Sequence, residues 1–159
     1  MVDHTAMEIG EEDIAVLDLE IDKILLATDG SKHSIKATKT AIGLAKLAEA
    51  KVYAVFVDTG ATEAQLPEEN LAEQVELGVH PNQAGLTVAQ KFGEKNEVSV
   101  ETEVLQGGVT KQIIKYAQEK EVDLIVMGES GRTGLARITL GSVAEGVIKS
   151  SQIPVWVDR

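Results

Sequence analysis

The residues best suited to chemistry form a glycine-rich run from Gly128 to Val143. Gly128 and Gly131 follow a short apolar stretch, and Gly141-Ser142 precedes a stretch with helical spacing. Glycine has no Cβ, so the backbone can turn tightly there and approach a ligand closely. The first amides of a helix have no partner within the helix and carry the positive end of its dipole. We therefore expect amides at both ends of this run to point outward and to bind a polyphosphate between them.

The same residues can also have a purely structural role. Ser142-Val143-Ala144-Glu145 has the pattern of a capping box, in which Ser142 and Glu145 satisfy the helix end reciprocally. Taken alone, that role is the favoured one for Ser142. The two roles are partly compatible, because a capping hydroxyl leaves other first-turn amides free for a ligand.

Three further groups of polar residues have two interpretations each. Asp29 can accept hydrogen bonds from ribose or adenine, which we favour, or form an Asx-turn that shapes a strand-to-helix connection. Arg132 and Arg137 can meet phosphate charge or be solvated loop residues. Glu101 and Glu103 share one face of a predicted strand, but no His, Ser or metal cluster accompanies them. We therefore interpret these two as a solvated sheet edge rather than an acid–base pair.

The elements that must position these residues alternate along the chain. Apolar stretches predict strands at residues 24–27, 52–57, 98–105, 122–127 and 154–157. Helical spacing predicts a helix with Ser31 as N-cap and an apolar stripe at Ile35, Ala41, Ile42, Ala45 and Ala48. It also predicts two short helices between Pro67 and about Gly93, one helix after Gly107-Gly108, and one at about residues 143–149.

This alternation predicts right-handed crossovers and a parallel sheet covered on both faces. The expected fold class is α/β, an open five-stranded parallel sheet with helices on both faces, in a Rossmann-like nucleotide-binding architecture. Such folds bind ligands beyond the carboxyl ends of the strands, where the strand order reverses. That rule points to the turn after strand one, with Asp29, and the turn after strand four, with Gly128.

Composition narrows the classes of function. The chain has 159 residues, a formal net charge of −11, no cysteine and three scattered histidines. An acidic surface repels nucleic acids and anionic membranes, so neither is an expected partner. Without cysteine there is no thiolate chemistry, and the histidines have no metal-ligand spacing. We find neither a signal peptide nor a membrane-spanning stretch, which predicts a cytoplasmic protein.

The domain organisation has two parts. Residues 1–20 form an acidic, loosely ordered N-terminal extension, in which Ile14, Val16, Leu17 and Leu19 can pack as a short arm. Residues 21–159 form a single nucleotide-binding domain, which fits the usual size of one hydrophobic core.

The spacing Gly128-x2-Gly131-x9-Gly141-Ser142 resembles the nucleotide-binding signature of the universal stress protein family, in its ATP-binding branch. The segment 23–31 (KILLATDGS) resembles the family's first strand and turn. The segments 123–128, 141–145 and 154–157 resemble its final third. The resemblance covers about residues 22–157, and several spaced motifs in the right order are more specific than one glycine pattern.

The resemblance implies a set of ligand contacts. The turn Ala27-Thr28-Asp29 and the backbone around Val57 would hold adenine and ribose. The ribose and phosphates would be lined by Met127, Gly128, Ser130, Gly131, Gly141, Ser142 and Val143, with Arg132 near the phosphate charge. The implied ligand is ATP or another adenine nucleotide, with magnesium or manganese carried on the phosphates and no metal site of the protein's own.

The last predicted strand bears on assembly. If it lies at the sheet edge, Val155, Trp156 and Val157 invite pairing with another chain. The resemblance likewise implies a homodimer joined through this strand.

Three functions remain open at this point. The first is an ATP-binding regulatory module in the stress response, with little or no catalysis, because no Walker lysine motif, general base or arginine finger is evident. The second is an ATP-using enzyme, at most a slow ATPase in this chain. The third is a nucleotide-free dimeric interaction module whose glycine loop is only structural.

Overall fold

The structure, a computed structural model, describes residues 8–31, 33–60, 83–129 and 140–159, with His33 described by its backbone alone. The predicted site residues Ser130, Gly131 and Arg132 lie outside these ranges, as do Arg137 and the helix predicted to begin near Pro67.

Five parallel strands form one sheet with the order β3-β2-β1-β4-β5. The strands are β1 Lys23–Ala27, β2 Lys51–Asp58, β3 Val100–Gln106, β4 Leu124–Gly128 and β5 Val155–Asp158. The described helices are α1 His33–Ala48, α2 Ala84–Asn96, α3 Val109–Glu119 and α4 Ser142–Ser150, with a short 3-10 helix at Glu11–Ile14. This architecture confirms the predicted fold class.

The sheet is buried on both faces because side chains of one strand alternate between them. On one face, Ile24 and Leu26 of β1 pack with residues of α1 and α2, among them Ala41 and Leu86. On the opposite face, Leu25 packs with residues of α3 and α4. Since aromatic residues are few, the two core layers consist mainly of aliphatic side chains and alanine.

The helix α1 follows its predicted apolar stripe only in part. Ala41, Ile42 and Ala45 are buried, but Ile35 is half-buried and Ala48 is exposed. The helix begins at His33, so the prediction that Ser31 is its N-cap is wrong. Ser31 instead offers its carbonyl to the N–H and hydroxyl of Ser34, at 3.1 and 2.6 Å.

The helix predicted to end at about Gly93 ends three residues later. The helix α2 continues to Asn96 and ends where Glu97 adopts a left-handed conformation with φ 58°. Val98 then donates its N–H to the carbonyl of Gly93 at 2.9 Å. Because the N–H of Val98 is used in this bond, β3 starts at Val100 rather than at the predicted Val98.

The apolar residues of the N-terminal extension do not pack together as a short arm. Every described side chain from Glu8 to Glu20 is exposed, including those of Ile14, Val16, Leu17 and Leu19. The extension is fixed where it meets the sheet, because the N–H groups of Asp22 and Lys23 donate to Oδ2 of Asp123 at 2.9 and 3.0 Å.

Candidate functional site

The strand order reverses between β1 and β4, which are neighbours in the sheet. Leu26 of β1 is paired with Val126 of β4, so the two strands end side by side. The turn after β1 and the turn after β4 therefore open at the same place on the carboxyl edge of the sheet. Ala27 and Gly128 are half-buried there, and Met127 is buried.

The turn after β1 has a defined backbone. Thr28 donates its N–H to the carbonyl of Val55 at 3.0 Å, and Ser31 donates its N–H to Oδ1 of Asp29 at 2.9 Å. The second bond is the Asx-turn considered as the alternative for Asp29. Gly30 between them has φ 76°, a left-handed conformation in which glycine is favoured.

One wall of the crevice comes from β2, which extends beyond β1. Ala27, the last residue of β1, is paired with Val55, so Phe56, Val57 and Asp58 lie past the end of that strand. Val57 is buried in the core, as expected of its side chain, so a ligand would meet its backbone. The carbonyl of Asp58 accepts the N–H of Gly107 at 3.1 Å. This bond holds the end of β2 to the turn between β3 and α3.

The beginning of α2 lies directly against Thr28, and sequence reasoning missed this contact. A Cβ at Gly85 would stand 2.3 Å from Oγ1 of Thr28. Only the absence of a side chain at Gly85 lets the helix come so close to the turn after β1. A glycine in the first turn of a helix was the available signal.

The two ends of the glycine-rich run are joined by a backbone bond. Glu129 donates its N–H to the carbonyl of Asp158 at 2.7 Å, and its own carbonyl accepts the N–H of Gly141 at 2.8 Å. The expectation that the Gly141 amide faces a ligand unpaired is therefore wrong. The bond closes the base of the run and places the start of α4 beside the end of β4.

The start of α4 also differs from the capping-box prediction. Gly141 is the N-cap, and Ser142 is the first residue inside the helix. The carboxylate of Glu145 binds Lys149 at 2.8 Å instead of returning to the helix end. The first helical bond runs from the N–H of Glu145 to the carbonyl of Gly141. The amides of Ser142, Val143 and Ala144 therefore have no acceptor within the helix.

These amides make an electropositive helix end in a protein of high negative charge. Val143 is half-buried and Ser142 is exposed, so the helix end opens to solvent. A helix start with free amides favours an anion through its dipole and its N–H donors. This arrangement can bind phosphate oxygens without a lysine or arginine.

Glu101 and Glu103 lie away from this crevice on the edge strand β3, as the solvated-edge interpretation expected. Glu101 binds Nζ of Lys51 at 2.7 Å, and this hydrogen bond lowers the pKa of the Glu101 carboxyl. A carboxylate held in its ionised form is a poor general acid.

Within the described ranges, no three acidic or histidine side chains are grouped to hold a metal ion. In the same ranges, no helix is both long enough and apolar enough to cross a bilayer.

Known proteins resemble this chain in sequence and in fold. Universal stress protein MJ0531 of Methanocaldococcus jannaschii is 44% identical over 136 residues, which are 85% of this chain and 80% of that protein. The crystal structure of a universal stress protein in complex with cAMP matches with a TM-score of 0.66 and 22% identity, over 89% of this chain and 98% of the other.

A universal stress protein from Archaeoglobus fulgidus in complex with dAMP matches with a TM-score of 0.62 and 24% identity, over 89% of this chain and 100% of the other. The model of the universal stress protein family matches residues 20–159. Since that match takes in all five strands and both turns of the crevice, this chain belongs to the universal stress protein family.

Proposed function

We propose that this chain binds an adenine nucleotide, with ATP as the first candidate, in the crevice at the carboxyl ends of β1 and β4. The observation that carries the proposal is the start of α4. Its first-turn amides, which have no partner within the helix, stand beside the end of β4, held there by the bond from Gly141 to Glu129. Fixed donors at a helix start are suited to phosphate oxygens.

Each predicted site residue has a role in this proposal. Ala27, Thr28, Asp29 and the backbone of Val57 hold adenine and ribose, and Met127 and Gly128 form the floor under the ribose. The amides of Ser142 and Val143 bind phosphate oxygens, and Gly141 admits the phosphates closely because it has no side chain. Ser130, Gly131 and Arg132 complete the phosphate end.

The relatives support an adenine nucleotide as the ligand. The structures of the two universal stress proteins named above are complexes with cAMP and dAMP, which share adenine, a pentose and one phosphate. Their sequence identity to this chain is 22% and 24%, so the chemistry of the α4 start has to carry the assignment here.

A divalent cation fits this site only as a companion of the nucleotide. The described residues hold no cluster of three acidic or histidine side chains, so that part of the chain supplies no cage for the ion. Magnesium or manganese would be bound by the phosphates and water, as Mg²⁺ commonly is.

Binding rather than hydrolysis is the proposed activity. Glu129 directly follows β4, but its side chain is largely buried, and its Oε2 lies 3.9 Å from Nε of Arg159. A carboxylate engaged in this way is poorly placed to activate water. The bound nucleotide would instead regulate what the domain contacts.

The proposal is tested by removing one amide at the start of α4. Ser142→Pro deletes a single N–H at the first helical position, where proline is well tolerated, and Gly141 before it has the extended ψ of 152° that proline requires. Val109→Pro at the start of α3 is the matched control, because Gly108 before it has ψ 130°.

Calorimetry with magnesium and ATP, ADP or adenosine gives the readout. We expect Ser142→Pro to weaken ATP and ADP binding by about 1.5–3 kcal/mol, the usual value of a hydrogen bond to a charged group, and to leave adenosine binding unchanged. The control should match the parent protein. A parent protein that binds no nucleotide at millimolar concentration would instead favour the nucleotide-free interaction module.

The second part of the proposal is a homodimer joined through β5. This strand is an edge of the sheet, and Trp156 on it is 46% exposed. An exposed apolar edge strand pairs readily with a second chain.

A further inference from the structure

The N-terminal extension combines two properties that rarely occur together on a free surface. Residues 8–20 contain six acidic residues and no basic one. They also contain five large apolar side chains that are all at least 60% exposed, with Val16 at 93%. Isolated proteins seldom expose so many apolar side chains in one short segment unless the segment binds something.

A surface of complementary character lies on α1. Its outer face carries Lys36, Lys39 and Lys46, and the helix contains no acidic residue. Leu47 lies on the same face and is 83% exposed. At the centre, a Cβ placed on Gly43 would meet nothing within 4 Å, so a chain segment can lie close to the helix there.

The two surfaces have opposite charge and both are partly apolar. Neither Lys39 nor Lys46 forms an ion pair with a described carboxylate, whereas Nζ of Lys36 donates to the main-chain oxygen of Arg159. An acidic apolar segment placed along this face would pair its carboxylates with the lysines and cover Leu47.

We propose that residues 8–20 of one chain bind the outer face of α1 in a second copy of the same chain. The exchange is reciprocal, because each copy offers one segment and one face. It is separate from the nucleotide crevice, since the segment leaves the sheet at its amino edge, where Lys51 donates its N–H to the carbonyl of Asp22 at 2.8 Å.

The choice of a second copy rests on what one chain leaves uncovered. The extension meets the sheet beside Lys51, close to the C-terminal end of its own α1. Within one chain, however, its apolar side chains and Leu47 all remain exposed. The family model begins at residue 20, so this segment lies outside the part of the chain that matches the family. Its acidic and apolar pattern therefore serves something other than the shared fold.

Cysteine pairing tests the exchange directly, because the chain has no cysteine of its own. Val16→Cys chains are mixed with Gly43→Cys chains that carry a size tag, and the mixture is oxidised gently without nucleotide. We expect a disulfide-linked pair of one tagged and one untagged chain. Lys91→Cys, at an exposed position on α2, replaces Gly43→Cys as the control and should give little of this product.

The double variant Val16→Cys/Gly43→Cys separates the alternatives. Linked dimers and larger species support the exchange between copies. A closed disulfide within single chains would overturn it, because the segment would then cover its own α1. The proposal would also be overturned if neither the mixture of single variants nor the double variant gave a disulfide-linked product.

Charge reversal supplies an independent test. Lys39→Glu/Lys46→Glu should raise the dissociation constant for self-association roughly three- to tenfold. Adding Glu12→Lys/Asp18→Lys should restore it. Lys91→Glu/Lys95→Glu changes the net charge equally on another helix and should have little effect. If both lysine pairs weaken association alike, the effect is general repulsion and the proposal fails.

Discussion

At the scale of the residue, two glycines in helices do opposite things, and their sequence context does not distinguish them. Gly85 lies against Thr28, where a Cβ would come within 2.3 Å of Oγ1. Gly43 lies on an open surface of α1. We expect Gly85→Ala to destabilise the fold by about 1–3 kcal/mol through overpacking, and Gly43→Ala to stabilise it by roughly 0.5–1 kcal/mol through backbone entropy. Urea unfolding of both variants measures the difference; equal effects would contradict the packing of α2 against the turn after β1.

Tyr116 gives a prediction about alkaline pH. Its side chain is buried, and its hydroxyl has no partner at hydrogen-bond distance among the described residues, although the carboxylate of Glu103 lies near it. Burial raises the pKa of the Tyr116 hydroxyl, and the negative charge of Glu103 raises it further. A folded-state pKa above the unfolded one contributes stability that is present below the unfolded pKa, about 10, and is lost as the pH rises toward the folded pKa.

The variant Tyr116→Phe should therefore lose less stability than the parent protein above about pH 10. At pH 7 it should be as stable or slightly more stable, because a buried hydroxyl without a partner contributes nothing to the fold. Chemical denaturation at several pH values compares the two proteins. A variant that is clearly less stable at pH 7 would mean that the hydroxyl has a partner.

Single residues of the candidate site were the hardest to predict, because their roles depend on distant partners. The pattern around Ser142 indicated a cap, but the backbone places Gly141 at that position. The Gly141 amide was expected to face a ligand, but the carbonyl of Glu129 accepts it. Neither fact follows from local sequence, since each depends on how β4 and α4 meet.

At the scale of the element, strands were predicted well because apolar runs of strand length have few other uses in a two-layered core. The errors lie at element ends, where one contact decides. Gly93 resembles a helix stop, but a Cβ there would lie 2.4 Å from Cγ2 of Val100. That glycine is required by packing between α2 and β3, and the helix ends three residues later, at Asn96.

The two edge strands allow a matched test of the proposed dimer. Both β5 and β3 are sheet edges, and each carries an exposed apolar side chain, Trp156 and Val104. We expect Trp156→Lys to shift the protein toward monomers, because a charge on a pairing edge opposes association. Val104→Lys should leave the oligomeric state unchanged. Light scattering after gel filtration at several protein concentrations gives the dissociation constant of each variant. A Trp156→Lys protein that self-associates as tightly as the Val104→Lys protein would contradict pairing through β5, because the exchange of residues 8–20 is the same in both.

At the scale of the whole molecule, strand order determines where a ligand can bind more than any single motif does. The alternation of strands and helices predicted a parallel sheet, and the reversal between β1 and β4 brings together two turns that are about 100 residues apart in sequence. The fold class and the position of the crevice were therefore accessible from the sequence. The outward-facing extension was not, because nothing within one chain determines what covers it.

Nucleotide binding should also be visible in the stability of the whole domain, because a ligand that binds only the folded state stabilises it. At a concentration one hundred times its dissociation constant, Mg-ATP would add about 2.7 kcal/mol. For a domain near this size each kcal/mol raises Tm by about 2–4 °C, so we expect a rise of roughly 5–11 °C. Ser142→Pro should reduce the rise at the same ATP concentration, whereas Val109→Pro should not. Triphosphate with magnesium but without adenosine separates general anion binding from nucleotide recognition: if it raises Tm as much as ATP does, the turn after β1 and the end of β2 do not bind the nucleoside.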